Sequence, residues 1–210
     1  MIMGTSNTVA TRLTYLDEFN VINGNAQVNV LNATDEEHID LVLDQTCFYP
    51  RGGGQDWDTG TISDSESEFV VEEVRMDENG TVHHIGTFAK GEFSVGQKVV
   101  CEVNAERRLL NTRLHSAGHL IDLAADQLNL PWIPGRGAHY PHMSFVEYNG
   151  EWNAGEASDI QQEIEGIINE IVAVGGENEI RFMPVWWTCG DLPRNNFGMG
   201  LKNSAIIWKN

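Results

Sequence analysis

Hydrophobic and polar positions follow two different periods along this chain. Up to residue 103 they alternate in short runs, the period of half-buried strands. Val21 to Leu31, with Asn23-Gly24 as a turn, and Ile39 to Leu43 predict an antiparallel meander. Glu68 to Val74 and Thr81 to Ile85 flank Asp77-Glu78-Asn79-Gly80, whose Asn-Gly step is a strong hairpin signal. Lys98 to Val103 is a further strand leading into the next element.

From Asn104 to Leu128 the period becomes helical. Leu110, Leu114, Ala117, Ile121 and Ala124 fall on one helix face, with Asn104 placed to cap its start. Pro131 to Gly135 breaks the chain, and Met143 to Tyr148 alternates as a strand ending at Asn149-Gly150. Ser158 is the expected cap of a second helix with Ile160, Ile164, Ile167, Ile168 and Ile171 as its apolar stripe, ended by Gly175-Gly176. Strands follow over Glu179 to Trp187 and Ala205 to Trp208. The economical reading is an α+β protein: a small antiparallel β-barrel over residues 1–103, then an α+β domain over 104–210.

No apolar run approaches the ~20 residues that cross a bilayer, and the N-terminus has no basic segment followed by an apolar one, so the expectation is a soluble, cytoplasmic protein without a membrane partner. Cys47, Cys101 and Cys189 cannot all pair with one another, and reduced thiols are the simpler assumption. Cys47 and Cys101 lie in strands and read as small buried residues. The formal charge of −18 argues against a nucleic-acid partner. Its distribution softens that argument: residues 1–103 carry 5 basic and 18 acidic side chains, residues 104–210 carry 8 and 13. Arg107, Arg108 and Arg113 flank the first helix and Arg181, Arg194 and Lys202 flank Cys189, a local basic rim or simply a solvated face.

His115 and His119 project from one side of the first helix about a turn apart, the geometry by which a helix offers two ligands to one metal ion. Arg108, Thr112 and Asp122 are polar neighbours on the same surface. Cys189 is a candidate third ligand, and two imidazoles with one thiolate suit zinc at a catalytic site with an open position. The plain alternative is two surface histidines and an unrelated cysteine. Gly52-Gly53-Gly54 removes side chains from a stretch of backbone whose N–H groups could then approach a ligand closely. By itself it reads equally as a hairpin loop. His83 and His84, adjacent in a strand, point to opposite sides.

The run Asp44-x-Thr46-x-Phe48-Tyr49-Pro50-x-Gly52-Gly53-Gly54-Gln55 with Asp58-x-Gly60, followed by His115-x-x-x-His119 and Cys189-Gly190, resembles the freestanding alanyl-tRNA editing proteins of the AlaX group in its longer form. These are similar to the editing domain of alanyl-tRNA synthetase. The resemblance implies a β-barrel joined to an α+β editing domain, a zinc site on His115, His119 and Cys189, and hydrolysis of serine or glycine wrongly esterified to alanine tRNA. It implies Gly53 and Gly54 N–H groups facing the developing oxyanion, Thr46 beside the aminoacyl group, and Gln55 orienting that group or the water. The chain departs from the pattern at Pro193, where the family has a fourth ligand, histidine; Asp191, His139, His142 or water could substitute. Two further readings stand beside it: a metallohydrolase of the same fold acting on a small ester or amide, and a catalytically silent module that binds tRNA or a partner protein.

Overall fold

A computed structural model describes residues 10–18, 20–35, 37–151 and 153–175, and the backbone of strands over 177–182, 198–201 and 204–209. The chain forms two compact units, Met1–Gly52 with Asp56–Leu110, and Gly53–Gln55 with Asn111–Asn210.

In the first unit β1 (Arg12–Leu13) pairs in parallel with β4 (Gln45–Thr46), beside a closed barrel. The barrel strands are β2 (Asn23–Ala33), β3 (Ile39–Leu43), β5 (Gly60–Ser63), β6 (Glu68–Met76), β7 (Val82–Lys90) and β8 (Lys98–Val103), in the order β2-β3-β7-β6-β5-β8. All six pair antiparallel with both neighbours, which leaves the barrel no open edge. Alternation builds its interior: in β8, Val99, Cys101 and Val103 are buried while Lys98, Val100 and Glu102 are exposed. In β6 the buried residues are Phe69, Val71 and Val74, and the register shift between Val71 and Glu73 explains the extra step. Phe48, Leu41, Leu43 and Ile62 complete the fully buried centre.

Asn79-Gly80 makes the predicted turn between β6 and β7. Gly80 is left-handed at φ 81°, and Asp77 Oδ1 accepts from the Asn79 and Thr81 N–H groups at 2.9 and 2.8 Å. Asn23-Gly24 does not turn. It opens β2, paired with Glu102 and Cys101 of β8. An Asn-Gly step turns only where its flanks pair with each other, and here the first half of β2 pairs with β8 and the second with β3 to close the barrel.

The first helix, α1 (Ala105–Gln127), runs from the first unit into the second. Asn104 caps it as expected, its Oδ1 accepting from the Arg107 N–H at 3.0 Å. The buried face differs from the apolar stripe. Leu110 and Ala117 are exposed, whereas Asn111, His115 and Gly118 are buried with Leu120, Leu123 and Ala124. His115 can lie on the inner face because the Gln55 amide oxygen meets it there.

The second unit continues with an antiparallel hairpin, β9 (Ile133–Tyr140) and β10 (Met143–Asn149), then α2 (Ala157–Val174) and a three-stranded sheet of β11 (Glu177–Phe182), β12 (Gly198–Leu201) and β13 (Ser204–Lys209). The expected break at Pro131 to Gly135 is shorter: β9 already includes Pro134, which pairs with Tyr148. Ser158 lies inside α2 instead of capping it, because Asn153 Oδ1 takes the Gly155 N–H at 3.0 Å and starts a 3-10 turn three residues earlier. The five isoleucines are the partly buried stripe of α2, and Gly175 ends it at φ 76°. Residues 183–187 of the strand expected up to Trp187, and Gly176, lie outside the described residues. Among the described residues no helix is long and apolar enough to cross a membrane.

Candidate functional site

Gly53–Gln55 interrupts the sequence of the barrel unit yet belongs to the second unit, with both helix histidines. Gly53 and Gly54 are left-handed, φ 58° and 77°. At Gly54 a Cβ would also lie 2.7 Å from the Gly137 carbonyl oxygen, so glycine is required twice over. Gly54 O accepts from the His139 N–H at 2.8 Å, tying the bend to β9. No hydrogen bond from the Gly53 or Gly54 N–H to another described group is found.

The bend delivers Gln55, which is buried, with Oε1 2.9 Å from His115 Nδ1. With the amide oxygen accepting, the His115 proton sits on Nδ1 and the lone pair on Nε2. One turn on, His119 Nδ1 lies 3.0 Å from Asp122 Oδ2, which fixes the same tautomer. The rings stack with centroids 5.1 Å apart. Burial, reinforced by the neighbouring His119 and His139 rings, pushes His115 down to about 3, so it is a neutral imidazole at neutral pH. Two rings held through Nδ1, neither Nε2 having a hydrogen-bond partner among the described residues, form a donor set suited to a borderline divalent ion. Among the described residues no group of three His, Cys, Asp or Glu side chains could hold a metal ion. The expected third ligand, Cys189, lies outside the described residues, as do Asp191 and Pro193.

Three residues of this unit stand out that the sequence pattern did not single out for the site. His139, considered only as a substitute ligand, is buried and stacks on His115 at 4.5 Å between centroids. Gly118 makes room for it: a Cβ there would lie 2.3 Å from His139 Cε1. Among the described residues neither ring nitrogen of His139 has a hydrogen-bond partner, and burial lowers its pKa. Asn111, one turn before His115, is fully buried, and among the described residues both its side-chain amide atoms are unpartnered. Tyr148 donates to Asp122 Oδ1 at 2.5 Å, and burial, with that carboxylate next to it, keeps the phenol protonated. His142, the other histidine weighed as a ligand, is exposed and stacked on Tyr140.

The remaining motif residues serve the barrel unit. Asp44 Oδ1 accepts from the Gln27 and Gln45 N–H groups at 2.7 and 2.8 Å. Asp58, fully buried, accepts from the Tyr49 N–H at 2.6 Å and forms an ion pair with Arg108. Arg108 also donates to the Val21 and Cys47 carbonyls, and Arg107 to the Trp57 carbonyl. Two arginines of the expected basic rim are therefore held in barrel contacts, while Arg113 is exposed. Arg194 and Lys202, and the side chain of Arg181, lie outside the described residues. Cys47 and Cys101 are buried as expected, Cys101 within β8 and Cys47 just past the end of β4 instead of in a strand.

Thr46 is buried with its hydroxyl 2.8 Å from His84 Nε2 and accepting from the Phe48 N–H at 3.1 Å. His84 Nδ1 donates to the Leu41 carbonyl at 3.0 Å, so Nε2 is the acceptor and Thr46 the donor. His83 faces the other way, bonded to Asp40 at 2.9 Å. Burial pushes His84 down to about 4. Its unfolded form takes up a proton below about 6.5, which the folded form refuses until about 4. Stability should therefore be full above pH 6.5 and fall by roughly 3 kcal/mol on going down to pH 4. Urea unfolding across that range, compared with His84→Gln, should show a shallower pH dependence in the variant; equal slopes would contradict this account.

The profile of the class II (A) tRNA synthetases matches residues 8–107. Alanine-tRNA ligase of Kocuria rhizophila is 34% identical over 162 residues, covering 75% of this chain and 18% of the ligase. The alanyl-tRNA editing protein AlaX-M of Saccharolobus solfataricus is 33% identical over 145 residues, 69% of this chain and 58% of that protein. Alanine-tRNA ligase of Clostridioides difficile is 38% identical over 95 residues, 45% of the chain and 11% of the ligase. The chain thus spans less than a fifth of the ligases' length and under two thirds of AlaX-M.

Proposed function

The chain is a homologue of the AlaX-type alanyl-tRNA editing proteins and of the matching part of alanyl-tRNA synthetase, and on that premise we propose that it hydrolyses, in trans, the ester of serine or glycine wrongly joined to alanine tRNA. The observation that carries the reading is the pair His115 and His119, each bonded at Nδ1 and, among the described residues, without a hydrogen-bond partner at Nε2, in the same unit as the glycine bend. Zinc held by His115, His119 and Cys189 would act as a Lewis acid toward the water or the ester carbonyl. Gln55 holds His115 in the ligand tautomer. The Gly53 and Gly54 N–H groups donate to the oxyanion that forms as the carbonyl is attacked. Thr46 would stand beside the aminoacyl group, as the resemblance implies, and because its proton is donated to His84, its remaining lone pair is what could accept from a serine hydroxyl.

Thr46→Val should therefore narrow the preference for seryl- over alanyl-tRNA, measured as the ratio of their deacylation rates. It should also lower stability by about 1–3 kcal/mol, because His84 Nε2 loses its donor. An unchanged ratio would remove Thr46 from the selectivity.

Deacylation of seryl- and glycyl-tRNA by zinc-assayed protein, across a salt series, tests the whole reading. Activity that falls steeply with salt is the expected result. The net charge of −18, with Arg107 and Arg108 held in barrel contacts, favours a second reading: hydrolysis of a small ester or amide. Salt-insensitive turnover of a small ester with no turnover of seryl-tRNA would select it. Pro193, where the family carries a ligand, is the argument for a silent binding module, and bound zinc with turnover would exclude that module.

A further inference from the structure

We infer that Asp122 and Tyr148 are positioning residues that set His119 as a metal ligand; the inference rests on the zinc reading above. A histidine and an aspartate three apart on a helix are common and usually worth little where solvent reaches them. Here the two side chains are only 20% and 16% exposed. Asp122 is also held from a second element: Tyr148 of β10 donates to Oδ1 at 2.5 Å while His119 Nδ1 lies 3.0 Å from Oδ2. Each carboxylate oxygen thus has its own donor, one from the helix and one from the hairpin. The carboxylate cannot turn away from the imidazole without giving up the phenol.

Three consequences follow for His119. The proton is pinned to Nδ1, the lone pair to Nε2, and the ring orientation to the helix surface. The adjacent negative charge also makes the imidazole a better donor to a cation. His115 receives the neutral counterpart from Gln55, so the two ligands are held by partners of different charge.

The test uses the full chain, zinc alone as the ligand, and the substitutions Asp122→Ala, Tyr148→Phe and His119→Ala. Zinc affinity is measured by chelator competition, and the His119 tautomer by two-bond proton–nitrogen NMR correlations on the metal-free protein. Wild type should show His119 protonated at Nδ1. Asp122→Ala should shift it toward Nε2 protonation and weaken zinc by about 10–100-fold, the range typical for loss of such a partner. Tyr148→Phe should keep the tautomer and weaken zinc less. Should Asp122→Ala fail to fold, Asp122→Asn, which keeps the shape and removes the charge, should still weaken zinc.

Wild-type zinc affinity in the Asp122 variant, with zinc lost in His119→Ala, would overturn the positioning role and leave the zinc reading standing. So would a drop in melting temperature with tautomer and affinity unchanged, the mark of a purely structural pair. Wild-type affinity in His119→Ala would bring down the zinc reading and this inference with it.

Discussion

His115→Ala and His119→Ala should each lose bound zinc and seryl-tRNA deacylation together, with the rate falling by on the order of 10³-fold, because Lewis-acid polarisation is worth several kcal/mol. Zinc is measured by elemental analysis and the rate by single-turnover deacylation, which separates chemistry from tRNA binding and release. The variants should differ in stability. His115 is buried against Gln55 and stacked on His139, so its truncation leaves the Gln55 amide oxygen without its donor and opens a gap beside the His139 ring. His119 is partly exposed, and its removal should leave the melting temperature closer to wild type. Full activity in either variant would refute the metal role, however the fold responded.

Asp58→Ala should destabilise the barrel unit by about 3–5 kcal/mol, the range found when one partner of a buried ion pair is removed. Arg108 would be left with its side chain only 11% exposed and without the carboxylate that offsets its charge. The Tyr49 N–H would lose its acceptor as well. Urea unfolding measures the loss. Arg108→Ala should fall in the same range, and the double variant should lose clearly less than the two single losses combined. Independent, additive losses would show that the ion pair is not the connection. Because Asp58 stands in the motif beside Gly60, this result bears on how that motif is read: its aspartate is a structural requirement of the barrel.

Much of the barrel was legible in the chain, since burial on one face of a strand writes itself into alternate residues. Lys98 to Val103 shows this most plainly, and the Asn79-Gly80 turn is equally local, set by a left-handed glycine and an aspartate that caps the neighbouring amides. The helix start at Asn104 and the helix end at Gly175 belong to the same class. The errors fall where a local signal was overruled by pairing at a distance. Asn23-Gly24 has the composition of a turn, but it pairs as strand with Glu102 and Cys101 of β8. The apolar stripe of α1 misidentified the inner face, because hydrophobic spacing has no means of announcing that Asn111, His115 and Gly118 will be covered.

The candidate site divides in the same way. Four-residue spacing was enough to pair His115 with His119, since a helix places such residues side by side whatever surrounds it. Local order along the chain also determined that three glycines free the backbone at residues 52–54. It did not determine that Gly53–Gln55 joins the histidines instead of the barrel strands around it in sequence, that Gln55 and Asp122 hold the two Nδ1 atoms, or that Tyr148 secures Asp122. Hydrogen-bond partners 60 residues apart are chosen by how strands, bends and helices pack, and no period in the chain encodes that choice.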